Sequence, residues 1–174
     1  WKNFLWSMAI VLILFATARP QFGTRLEEIK REGIDLVIAL DLSNSMYAED
    51  VQPSRLDKAK YEIKKLIEML QGDRVALVVF AGDAYLQCPL TLDYDAFLML
   101  LESVDPNSMP VQGTAIARAI EVGTKAFVQG EFKHKVMLLI TDGEDHEGKP
   151  ETAAENAKAE GIAIYTVGIG SPAG

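Results

Sequence analysis

A single cysteine, Cys88, in a chain of 174 residues rules out an internal disulfide. Histidine is almost as scarce: His134 and His146 are the two present, and they do not share the short spacing of a zinc motif. No basic cluster occurs, and a net charge of −8 argues against nucleic acid and against anionic membrane surfaces as partners. Internal repeats and low-complexity tracts are also missing. What remains is a chain that is 49% hydrophobic and 24% charged, enough for a substantial core and too apolar for disorder. Its length suits one domain with an appendage. Because it opens on Trp1 and not on Met, it reads as a piece of a longer protein.

The appendage is N-terminal. Phe4 to Ala18 carries no charge, and its polar side chains are Ser7 and Thr17. With Trp1, Trp6, Lys2 and Arg19 as interfacial anchors, residues 1–19 read as a truncated transmembrane helix. The run is shorter than the ~20 residues of a full span. A signal peptide is the competing reading, because Ala16-Thr17-Ala18 fits a small-x-small cleavage site. Pro20 ends the helix, and residues 20–33 form a charged connector.

From residue 34 onward, apolar strands alternate with helical periodicity. Ile34 to Leu40 reads as a strand buried on both faces, with Asp35 expected to stay wet at its start. Leu56, Ala59, Ile63, Leu66, Ile67 and Leu70 recur at helical spacing, with Ser54 as N-cap and Asp57 three residues on. Val75 to Phe80 is a second buried strand. A turn at Ala81 to Ala84 leads into Tyr85 to Leu90, which Pro89 marks as an edge. Helices follow over Tyr94 to Ser103 and Thr114 to Phe127. Val136 to Ile140 and Ile162 to Val167 read as two more buried strands around a helix from Glu151 to Glu160. The alternation implies an α/β, Rossmann-like doubly wound sheet, mostly parallel with one antiparallel edge strand.

In such sheets ligands sit beyond the carboxyl ends of the strands, where strand order reverses. The first strand runs into Asp41-Leu42-Ser43-Asn44-Ser45 and the fourth into Thr141-Asp142-Gly143-Glu144-Asp145, with Gly113-Thr114 opening a helix between them. Two aspartates and three hydroxyls are oxygen donors of the kind Mg²⁺ takes, whereas a Ca²⁺ cage would use more carboxylates. Mn²⁺ or Ca²⁺ are the alternative occupants. Hydroxyls neutralise little charge, so the ion would stay electrophilic and accept an Asp or Glu from a partner protein. Both aspartates are expected on exposed rim turns.

Asp-x-Ser-x-Ser, Gly113-Thr114 and Thr141-Asp142-Gly143 resemble the metal-ion-dependent adhesion site of von Willebrand factor A domains, over Ile34 to Gly170. Ala18-Arg19-Pro20-Gln21, Gly72-Asp73-Arg74-Val75, Tyr85 to Thr91 and Thr141 to His146 resemble more narrowly the Bat aerotolerance-type membrane proteins of bacteria. The resemblance implies Ser43, Ser45 and Thr114 as direct or near-direct ligands, with Asp41 and Asp142 binding directly or through water. It implies other Bat-type subunits and a MoxR-type AAA+ ATPase as partners, and a place in the bacterial cytoplasmic membrane. It also implies that residues 34–174 lack the domain's last strand and helix, which leaves a sticky edge on the fifth strand. Arg19, Arg25, Lys30 and Arg31 favour a cytoplasmic domain, but the resemblance implies the periplasmic side, and that side is the expectation kept.

Other residues have plainer readings. Met46, Tyr47, Gly113 and Glu144 are candidates for a partner-binding rim, with buried packing the alternative for Met46 and Tyr47. Glu144, Asp145 and Glu147 read as a solvated loop, and Cys88 as a small packed hydrophobe. A Mg²⁺-dependent phosphatase of the haloacid-dehalogenase type shares the coarse pattern, but it needs a second acid where Ser43 stands. A scaffold stiffened by its metal and a chelatase-type subunit are the further alternatives. The expectation is a binding module, not an enzyme.

Overall fold

The computed structural model describes residues 1–17, 33–127, 134–143 and 149–170, with side chains from residue 11 to 17 excepted. The chain falls into two units, residues 1–30 and 31–174. In the first, Lys2–Thr17 forms helix α1. Its 16 described residues rise about 24 Å at ~1.5 Å each. No described helix is long and apolar enough to cross a membrane. The connector read at 20–33 lies outside the described residues apart from Gly33.

The second unit is a five-stranded sheet flanked by helices. In chain order it contains β1 (Ile34–Asp41), α2 (Arg55–Met69), β2 (Arg74–Phe80), β3 (Ala84–Thr91), α3 (Tyr94–Ser103), α4 (Ile116–Ala126), β4 (His134–Thr141), α5 (Pro150–Ala159) and β5 (Ile162–Gly168). Short 3-10 turns at Asn44–Tyr47 and Pro106–Ser108 were not foreseen. The strand order is β3-β2-β1-β4-β5. All neighbours are parallel except β2 and β3.

Side chains of a strand alternate between faces, so a run apolar on both faces needs a core on each. Leu36, Ile38 and Leu40 of β1 join Val75, Leu77 and Val79 of β2 under Ile63 and Ile67 of α2 and Phe97 and Leu101 of α3. Val37 and Ala39 join Ala76, Val78, Met137 and Leu139 under Ala119 and Ile120 of α4 and Ala153 and Ala157 of α5. The Ser54 hydroxyl accepts from the Asp57 N–H, closing the first turn of α2.

Two expectations are corrected. Asp35 does not stay wet: it is 0% exposed and takes both forks of Arg74, from Nε at 2.7 Å and Nη2 at 2.8 Å. The parallel register that pairs Asp35 with Arg74 supplies this counter-charge, 39 residues away in sequence. β5 is not a buried strand. It lies at the sheet's edge, paired on one side with β4, and beyond Ile162 its residues are partly or fully exposed, Tyr165 at 60%.

Candidate metal centre

β1 and β4 are adjacent parallel strands, and the register that pairs Leu40 with Ile140 brings Asp41 and Thr141 side by side at their carboxyl ends. This is the point where the sheet order reverses, with β2 on one side of β1 and β4 on the other. The Thr141 hydroxyl donates to Asp41 Oδ2 at 2.7 Å, and the Ser43 N–H donates to Asp41 Oδ1 at 2.8 Å. Ser43 and Ser45 share a hydrogen bond at 2.9 Å between their hydroxyls. Gly143 N–H donates back to Thr141 Oγ1 at 3.2 Å, curling the second turn toward the first.

Asp41 is 0% exposed. Burial pushes its carboxyl above the ordinary carboxylate range; the bonds from Ser43 and Thr141 pull the other way, and the charge of Asp142 adds to the rise. Asp142 is held differently. Arg55 Nη1 donates to its Oδ2 at 3.0 Å, and its side chain is 1% exposed. Its other oxygen, Oδ1, is buried and has no hydrogen-bond partner among the described residues. The expected exposed rim turns are therefore corrected: both carboxylates are sunk below the surface because strand pairing and Arg55 hold them there.

Backbone bonds fix the loop that carries Thr114. Ala115 N–H donates to Ala81 O at 2.7 Å, and Gly82 N–H to Val111 O at 3.0 Å, docking the 111–115 loop on the turn after β2. Leu42 N–H in turn donates to Phe80 O at 2.7 Å, tying the turn after β1 to the end of the same strand. Thr114 ends up 2% exposed. Gly113 adopts φ +140° and its missing Cβ would meet Gly82 Cα at 3.2 Å. At Gly82 the approach is closer still, a Cβ there lying 2.6 Å from Gln112 O. Gly82→Ala should force the loop outward at about 1–3 kcal/mol and weaken any ligand held by Thr114. Thermal unfolding and cation titration check this, with Gly168→Ala, which meets nothing within 4 Å, as the near-neutral control.

Of the rim candidates, Met46 is corrected: it is 0% exposed and packs in the core beside Leu42 and Leu56. The 3-10 turn that follows Ser43 points it inward. Tyr47 is 41% exposed, and its hydroxyl donates to Asp105 Oδ1 at 2.8 Å and accepts from Asn107 Nδ2 at 2.6 Å. Glu144, with Asp145, His146 and Glu147, lies outside the described residues. Cys88 is 3% exposed, and burial raises its thiol pKa.

Arg55 was missed from sequence. The available signal was its position: a cation in the first turn of a helix opposes the macrodipole, so something acidic has to hold it. Asp50 does so with both oxygens, at 2.8 Å from Nε and 3.0 Å from Nη2.

Among the described residues no three His, Cys, Asp or Glu side chains gather as a metal cage. The donor set is instead two carboxylates with neighbouring hydroxyls, one carboxylate oxygen being buried without a donor. That set fits a hard divalent cation, which would satisfy the orphaned lone pairs.

The model of the von Willebrand factor type A domain matches residues 35–173. The chain belongs to that family. Two solved Bacteroides relatives of this von Willebrand A domain give the comparison detail. An aerotolerance-related membrane protein from Bacteroides fragilis is 46% identical, with a TM-score of 0.77 over 80% of this chain and 69% of that one. BatB from Bacteroides thetaiotaomicron is 48% identical, with a TM-score of 0.79 over 82% and 69%. A UPF0353 protein of Mycolicibacterium paratuberculosis is 31% identical over 96% of this chain and 53% of its own length. An uncharacterized protein of Borreliella burgdorferi is 30% identical over 97% and 50%. The chain thus spans about half the length of these curated relatives. Proximal thread matrix protein 1 of the mussel byssus, solved with a zinc-occupied MIDAS motif, is 24% identical with a TM-score of 0.69 over 80% and 36%, a likeness of fold.

Proposed function

We propose that this von Willebrand A domain is a binding module that holds a divalent cation, Mg²⁺ in the first instance, and through it the Asp or Glu side chain of a protein partner. Asp41, Ser43, Ser45, Thr114 and Asp142 would hold the ion. The observation that carries the reading is Asp142 Oδ1, buried without a donor among the described residues, beside a second buried carboxylate. A lone pair left in that state costs free energy unless a cation or donor meets it. The bound ion would supply an electrophilic position for an outside carboxylate.

The chain's own residues prepare the site. Thr141 and the Ser43 amide orient Asp41, Arg55 orients Asp142, and the close Gly82–Gly113 approach fixes the loop from which Thr114 would reach the ion. Tyr47 and Gly113 flank it as contact surface for the partner. The reading extends to anchorage in the bacterial cytoplasmic membrane, with the domain on its periplasmic side. Trp1 and, within α1, Phe4, Leu5 and Trp6 are exposed, and of the two Bacteroides relatives one is an aerotolerance-related membrane protein and the other is BatB. Other Bat-type subunits and a MoxR-type AAA+ ATPase are the proposed assembly.

The test uses the chain in detergent, with an immobilised acidic peptide and its Asn/Gln counterpart. Capture of the acidic peptide alone, lost on adding chelator, is the expected result. Cation-dependent turnover of a generic phosphoester without peptide capture would favour the phosphatase alternative instead. Thr114→Ala should weaken capture although no charge is lost, and unchanged affinity would remove Thr114 from the ligand set.

A further inference from the structure

We propose that Arg55 is a resident counter-charge that shares Asp142 with the cation, keeping the ion weakly held by the domain and dependent on the incoming carboxylate. This rests on the cation reading above. Arg55 begins α2, where the helix macrodipole disfavours a positive charge, so its partners fix it in place. Asp50 grips Nε and Nη2, Nη1 reaches Asp142 Oδ2 at 3.0 Å, and the guanidinium lies under Gly170, whose Cβ position is 3.7 Å from Cζ. The side chain is 16% exposed. This is a charge that cannot swing aside without breaking a two-pronged ion pair.

The geometry divides Asp142 between two tasks. Oδ2 belongs to Arg55, and Oδ1 is the buried oxygen with no donor among the described residues. A cation on Oδ1 would face a fixed positive charge across the width of one carboxylate. Even with water's dielectric, repulsion of a dication over so short a span lowers affinity by about tenfold. An arriving carboxylate offsets that repulsion, so the domain's hold on the ion and its hold on an acidic partner become coupled. Without the guanidinium, Asp41 and Asp142 would face each other as buried like charges, and the domain would lean on the cation for its own stability.

The experiment titrates Mn²⁺ calorimetrically into the detergent-held full chain and its Arg55→Met and Arg55→Lys variants, with and without acetate as a model carboxylate. Thermal unfolding is followed in chelator and in Mn²⁺. Arg55→Met should bind Mn²⁺ about tenfold tighter, gain less from acetate and show a wider gap between its two melting temperatures. Arg55→Lys keeps the charge and should stay close to wild type. Should Arg55→Met not fold in chelator, Arg55→Gln, which removes the charge but keeps a polar donor beside Asp50 and Asp142, should still tighten Mn²⁺. The proposal is overturned if Arg55→Met, or Arg55→Gln in its place, binds Mn²⁺ no more tightly than wild type, or if the Met and Lys variants behave alike. A wild-type chain that takes up no Mn²⁺ is a different failure, and it removes the cation reading itself.

Discussion

Asp142→Asn should lower divalent-cation affinity at least a hundredfold and abolish capture of an acidic partner, while the domain stays folded. The size follows from removing a full negative charge that would sit against a dication. At contact distance that charge contributes more than about 2 kcal/mol even in a watery dielectric, and more in a buried site. Folding should survive because Arg55 keeps its two hydrogen bonds to Asp50, and the amide oxygen at position 142 can still accept from Nη1. Asp41→Ala is a poorer probe. It strands the Thr141 hydroxyl and the Ser43 amide, both of which donate to Asp41 in a buried setting, at about 1–3 kcal/mol each. Calorimetric titration with Mn²⁺, alongside circular dichroism, separates the effects. Wild-type affinity in a folded Asp142→Asn chain would remove Asp142 from the site.

Arg74→Met should be the most damaging single change away from the site. It leaves Asp35, 0% exposed, without its forked partner at 2.7 and 2.8 Å. Breaking a buried pair from one side costs about 3–5 kcal/mol. For a domain of this size that lowers the melting temperature on the order of 10 °C. Replacing both members, Asp35→Leu with Arg74→Met, should recover most of the loss, because an apolar pair of similar volume avoids both desolvation costs. A double variant no more stable than Arg74→Met would show that Asp35 is held chiefly by something other than Arg74.

These two sites mark where sequence patterns stop. Local signals were sufficient for much of the fold. The approximate span Tyr94 to Ser103, closed off before Asp105-Pro106, matches α3, the Ser54–Asp57 pair located the start of α2, and Pro89 announced that β3 lies on an edge. The turns after β1 and β4 could be expected to meet, since carboxyl ends of neighbouring parallel strands converge. Strand order and register are another matter. Ile162 to Val167 is as apolar as a central strand, and its place at the end of the sheet among the described residues followed only from the family resemblance, not from its own pattern. Asp35 looked like a wet terminus until the register set Arg74 beside it. Met46 follows the serines closely enough to suggest the rim, but a 3-10 turn reverses its direction. Arg55 meets Asp142 from 87 positions away, a contact that no local pattern encodes.

The concealment of Cys88 has a practical consequence. With its sulfur packed away and its thiolate form disfavoured, the folded chain should ignore maleimides. Asn44 stands exposed between the two serines, so Asn44→Cys would offer one addressable handle beside the rim. A fluorophore placed there could follow docking in real time, without stripping the native sulfur from the interior.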